Sequence, residues 1–119
     1  MKKVAAVFAS LALAGTGVAI TAPSATADPC PSGAVCAYAS TNWQKPPDKK
    51  YRDNRNLTDY FNWTNAESIY NNGASCNVYV YSGTNYGGVR YPLNRGTGWR
   101  SIAGSSIWHH AYSIQWYGC

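Results

Sequence analysis

Val78-Tyr79-Val80-Tyr81-Ser82-Gly83-Thr84-Asn85-Tyr86 runs β-branched and aromatic residues into a small polar turn that closes on another aromatic. The pattern occurs twice. Val35-Cys36-Ala37-Tyr38-Ala39-Ser40-Thr41-Asn42-Trp43 lies 43 positions earlier and keeps the Val, the Tyr, the Thr, the Asn and the final aromatic. Further along, Trp63-Thr64-Asn65-Ala66-Glu67-Ser68-Ile69 returns as Trp108-His109-His110-Ala111-Tyr112-Ser113-Ile114, 45 positions later, with Trp, Ala, Ser and Ile in register. Two matches in the same order at nearly equal offsets mean a tandem pair of units that differ by one short insertion.

Each unit reads as β structure. The alternation in Cys76 to Tyr81 suits a strand, as does Ser113 to Tyr117. Ser82-Gly83, Gly87-Gly88, Asn94 to Gly98 and Gly104-Ser105-Ser106 punctuate the chain at intervals that leave room only for short strands. No segment after Ala27 sustains a helical apolar stripe, and single helical turns are expected at Asn56 to Tyr60 and Arg100 to Ser105. Four strands per unit, with one sheet stacked on the other, is the expected arrangement.

The start of the chain has a different character. Lys2-Lys3, the apolar run Val4 to Ile20 and Ala25-Thr26-Ala27 have the layout of an export signal cut after Ala27. The domain is then 28–119, secreted and free of the membrane. It keeps eight basic and five acidic side chains, too mild an excess for a nucleic-acid binder. At 13% charged residues the whole chain is also too poor in charge for a disordered segment or a coiled coil. Cys30, Cys36, Cys76 and Cys119 all follow the cut, an even number in a short exported domain, and their spacing is not that of a zinc site. Disulfides are expected, in one of three pairings.

Tyr81-Ser82-Gly83-Thr84-Asn85-Tyr86-Gly87-Gly88, with Ser113 later, resembles the Greek-key signature of βγ-crystallins. Cys-Pro-Ser-Gly-Ala-Val-Cys-Ala-Tyr, residues 30 to 38 behind an export signal, resembles the opening of the actinobacterial peptidase inhibitor family I36, whose members share that fold. The resemblance implies an all-β, βγ-crystallin-like sandwich of two Greek-key motifs in a single domain, with unit one at about 34–73 and unit two at about 76–119. It gives Tyr38 and Trp43, then Tyr81 and Tyr86, the role of packing pairs over folded hairpins. Gly88 takes the positive-φ position, and Ser68 and Ser113 tie hairpin to later strand. Lys45 stands where the first unit should have its glycine, so that hairpin is expected to be distorted. Neighbouring first and fourth strands imply Cys76–Cys119, which leaves Cys30–Cys36.

Many βγ-crystallins hold Ca²⁺ through paired Asn/Asp and a pair of hydroxyls. Here Trp63-Thr64 and Trp108-His109 fall at the paired positions, and Glu67 and Tyr112 at the first hydroxyl, so no cofactor and no metal are expected. Trp63 and Trp108 are expected to fill the space between the sheets.

Catalytic candidates are few. His109 and His110 are neighbours that point apart on an extended chain, and no nucleophile elbow is present, so an enzyme is not expected. The basic run Lys45 to Arg55 reads as a hydrated loop, its charge diluted by Asp48, Asp53 and two prolines. The resemblance implies a monomeric secreted inhibitor of extracellular peptidases. Its candidate binding loops are the Cys30–Cys36 ring and Asn94 to Arg100, where Arg95, Trp99 and Arg100 are expected to protrude. The other reading is a secreted binding module, similar to killer-toxin-like proteins, that acts on cell walls.

Overall fold

Asn77–Tyr81 is a strand whose pleat sorts the alternation in its sequence: Val78 and Val80 are fully buried, and Asn77 and Tyr79 lie half-buried on the opposite face. This computed structural model describes residues 28–119, so the expected leader over 1–27 lies outside the described residues. In chain order the strands are β1 Val35–Tyr38, β2 Asp48–Lys50, β3 Ser68–Asn71, β4 Asn77–Tyr81, β5 Arg90–Leu93, β6 Gly98–Trp99 and β7 Ser113–Tyr117. A 3-10 turn, Thr41–Trp43, follows β1, and a one-turn helix α1, Phe61–Thr64, precedes β3.

All pairings are antiparallel. One sheet has the order β2-β1-β3-β6 and the other β5-β4-β7. The two units are therefore interleaved rather than stacked as independent sheets. β6 comes from the second unit but pairs with β3 of the first, through Ile69↔Trp99 and Tyr70↔Gly98. Reciprocally, Asn54 of the first unit bridges Ile114 of the second, with both N–H···O bonds at 3.0 Å. Asn54 and Trp99 stand 45 positions apart, as do Ile69 and Ile114, so the exchange obeys the internal symmetry. Neither half can complete its sheet alone.

The core repeats in the same way. Leu57 and Ile102, Ala66 and Ala111, Ile69 and Ile114, and Val35 and Val78 are symmetry-related pairs, and all are buried between the sheets. β1 is buried on both faces. Val35 and Ala37 turn to the main core, whereas Cys36 and Tyr38 lie under Cys30, Trp43 and Tyr70.

Three local expectations need correction. The helical turn forms at 61–64 and not at 56–60, because Asn54 Oδ1 accepts the Asn56 amide and Asn56 Oδ1 accepts that of Thr58. Such side-chain turns compete with helix formation. Residues 100–105 are likewise not helical; successive tight turns run from Ile102 to His110. The basic run is also more ordered than a hydrated loop. It contains β2 and the Asn54 bridge, and Asp53 Oδ1 accepts the Trp116 amide at 2.8 Å.

Candidate functional site

The folded hairpins are the most repetitive feature of the molecule. Asn42 and Trp43 adopt φ of 58° and 54°, and Asn85 and Tyr86 adopt 55° and 59°. Such left-handed pairs of non-glycine residues are costly and need external support. Support comes from one serine in each half. Ser68 Oγ accepts the Trp43 amide at 3.0 Å and donates to the Ser40 carbonyl at 2.6 Å; Ser113 Oγ accepts from Tyr86 at 3.0 Å and donates to Gly83 at 2.6 Å. Tyr81 and Tyr86 pack at 5.5 Å between centroids, and in the first half Trp43 packs edge-on to Tyr70 against the cluster that holds Tyr38. Gly88 has φ of 76°. Lys45 takes φ of 67° at the same place, so the first hairpin keeps its shape and pays in strain rather than in distortion.

The disulfides join Cys30 to Cys36 and Cys76 to Cys119. In the chain-entropy picture they stabilise by about 2 and about 4 kcal/mol respectively. Within the first ring, Ala34 N donates to Pro31 O, Gly33 N donates to Asn72 O at 2.7 Å, and Asn72 Nδ2 donates to Cys30 O at 2.7 Å.

The second candidate loop is anchored beside the first. Gly96 N donates to Asn71 O, Asn71 N donates to Thr97 O, Arg95 N donates to Asn77 Oδ1, and Tyr70 Oη donates to Gly96 O, all within 3.0 Å. Asn71 is fully buried, and both ends of its amide are bonded: Nδ2 donates to Leu93 O and Cys76 O, and Oδ1 accepts the Gly73 amide. Neighbouring residues Asn71 and Asn72 thus pin both loops to one end of the sandwich. Nothing in the repeat or the family motif marks Asn71. Its signal was a polar residue inside a strand, just before the Asn72-Gly73 turn.

Of the three residues expected to protrude, Arg95 is exposed at the tip of this turn. Trp99 is not. It is half-buried in β6, edge-on to Tyr91 and packed on the core. Arg100 is exposed, but its guanidinium lies 4.6 Å over the Trp43 ring.

At the cation-loop positions the two halves diverge. Trp63 is fully buried in α1, whereas Trp108 is 41% exposed and does not fill the space between the sheets; Ile107 fills it instead. Trp108 Nε1 donates to Glu67 Oε1 at 3.0 Å, and His109 Nε2 pairs with Glu67 Oε2 at 2.6 Å. The hydrogen bond from His109, helped by that from Trp108, holds the Glu67 carboxyl below the usual value against a smaller opposing effect of burial. Both carboxylate oxygens are engaged, and an indole and an imidazole occupy positions where a hard cation wants oxygen, so this donor set does not fit Ca²⁺. On the far side of the sheet Tyr38 Oη donates to Asp28 O at 2.9 Å, and burial, reinforced by Asp28 and Tyr70, pushes its phenol up to about 12.

Residues 23–91, more than half of the chain, match the peptidase inhibitor family I36. The chain belongs to that family. As an I36 chain it shares its fold with βγ-crystallins. A structure solved for the evolution of the eye-lens βγ-crystallin domain fold superposes with a TM-score of 0.68 at 12% identity, covering 79% of this chain and 95% of that one. A βγ-crystallin from an archaeon gives 0.57 at 20% identity, covering 73% and 100%. IPSE alpha-1, an IgE-binding crystallin, gives 0.58 at 22% identity, covering 75% and 85%. No curated protein matches this I36 chain by sequence.

Proposed function

We propose that this I36 chain is a secreted inhibitor that binds an extracellular peptidase stoichiometrically through rigid loops, without chemistry of its own. Metallopeptidases are the first class to examine. The observation that carries the reading is the anchoring of the Asn94–Thr97 turn and the Cys30–Cys36 ring on Asn71 and Asn72. A loop already held in its bound shape loses little conformational entropy on association, and that saving appears as affinity. Arg95, exposed at the tip of the turn, is the side chain offered to the partner.

The test is a titration of the purified chain against thermolysin-like and subtilisin-like enzymes. Loss of activity with an end point near equimolar inhibitor is the expected result, and Arg95→Ala should weaken it. Full activity at several-fold molar excess rejects the reading for those classes.

A further inference from the structure

The pleat that turns Val78, Val80 and Ile114 to the core turns the half-buried Tyr79 and Tyr117, with Tyr81 buried among its neighbours, to the opposite face of the β5-β4-β7 sheet. These rings are ordered by one another. Tyr79 and Tyr117 stack in parallel with centroids 3.8 Å apart, Tyr81 packs against both Tyr79 and Tyr86, and its hydroxyl donates to Gln115 Oε1 at 2.9 Å. Two exposed arginines lie on this layer: Arg90 stands 4.1 Å over the Tyr79 ring and Arg55 stands 5.0 Å from that of Tyr86. Neither guanidinium has a carboxylate partner among the described residues, where the ion pairs are Lys50–Asp48 and His109–Glu67.

We infer that this face is the centre of a protein-binding surface whose occupant is a carboxylate-rich patch on the partner peptidase. The inference rests on the inhibitor reading above and names the surface used. Cation–π attraction to a tyrosine ring holds each guanidinium on this face without using its N–H donors, which suit bidentate capture of a carboxylate. Tyrosine and arginine held in advance are also the side chains that dominate protein interfaces, because they lose little freedom on binding. The Arg95 turn adjoins the same surface: the Arg95 amide is bonded to Asn77, the residue that begins β4 on this face. Three strands of this length cover about 10 by 15 Å, which is the core of an interface and requires the adjoining turn to complete it.

Poly-L-glutamate titrated into the full ¹⁵N-labelled chain tests the assignment without an enzyme. Shifts are expected to concentrate on Tyr79, Tyr81, Arg90 and Tyr117. Arg55→Glu with Arg90→Glu should weaken binding at least tenfold, the milder Arg55→Gln with Arg90→Gln at least threefold, and Lys49→Glu on the other sheet less than twofold. Unchanged melting temperatures establish that the variants fold. Absence of shifts on this face overturns the inference, and so does tighter binding of polygalacturonate at equal charge, which would assign the face to anionic glycans. Peptidase inhibition that survives the double reversal removes the face and spares the function. Binding of poly-L-glutamate by a chain that inhibits no peptidase removes the function and spares the face as an acidic-polypeptide site.

Discussion

Asn71 Nδ2 donates to the Leu93 carbonyl at 3.0 Å, so a single buried amide in β3 links one sheet to the last residue of β5 in the other. The backbone of the same residue holds Gly96 and Thr97, the closing half of the Arg95 turn. Asn71→Leu removes the side-chain partner of the Leu93 and Cys76 carbonyls and of the Gly73 amide, and each group left buried and unsatisfied costs about 1–3 kcal/mol. A loss of about 2–4 kcal/mol in urea denaturation is expected, with weaker peptidase inhibition because the turn is no longer held. Inhibition unchanged in a destabilised Asn71→Leu protein would separate the turn from function.

The serine ties predict a paired result. Ser68→Ala and Ser113→Ala each strand a left-handed amide and a carbonyl at once. Each should cost about 2 kcal/mol, which lowers Tm by about 8–16 °C in a domain of this size. Near-equal effects are expected because the two geometries are superposable.

Lys45 gives a stabilising substitution. Its φ of 67° costs a residue with a Cβ about 1–2 kcal/mol, and its symmetry mate Gly88 avoids that cost. Lys45→Gly should raise stability by about 0.5–1 kcal/mol in chemical denaturation, after allowance for the extra entropy of an unfolded glycine.

The repeat made the two-unit architecture legible, because Val35/Val78 and Ser68/Ser113 occupy equivalent, structurally required positions. The exchange of edge strands was not legible: Asn54 and Trp99 share no residue type and join the sheets through backbone groups alone. The fate of Trp108 was hidden for a related reason. Its identity matches Trp63, but the second half lacks α1 and gives the core position to Ile107. In the candidate site Arg95 was readable as an exposed turn residue, whereas the role of Asn71 depends on partners in three other segments.

Glu67 gives the molecule an acid limit. Its folded carboxyl titrates below the ordinary value of 4.5, so its contribution to stability is fully present above 4.5 and is lost as pH falls from there through the folded value. Glu67→Gln should flatten the dependence of Tm on pH below 4.5. Melting curves from pH 2.5 to 6 measure this directly, and an unaltered acid limb in the variant would assign the loss to other carboxylates.

Gly96 in the turn and Gly98 at the start of β6 separate backbone strain from crowding. A Cβ on Gly98 would lie 2.7 Å from the Ile69 carbonyl oxygen and 2.5 Å from the Tyr70 ring, so β6 would have to leave β3. A Cβ on Gly96 meets nothing within 4 Å, and only its φ of 78° opposes substitution. Gly98→Ala should therefore cost about 3 kcal/mol and Gly96→Ala about 1 kcal/mol. Hydrogen exchange distinguishes the causes. The Asn71 amide, bonded to Thr97, and the Asn42 amide, bonded to Arg100, flank β6 and should lose protection together in Gly98→Ala. In Gly96→Ala the Asn42 amide should remain protected, because the strain stays inside the turn and the pairing of β6 with β3 is left intact.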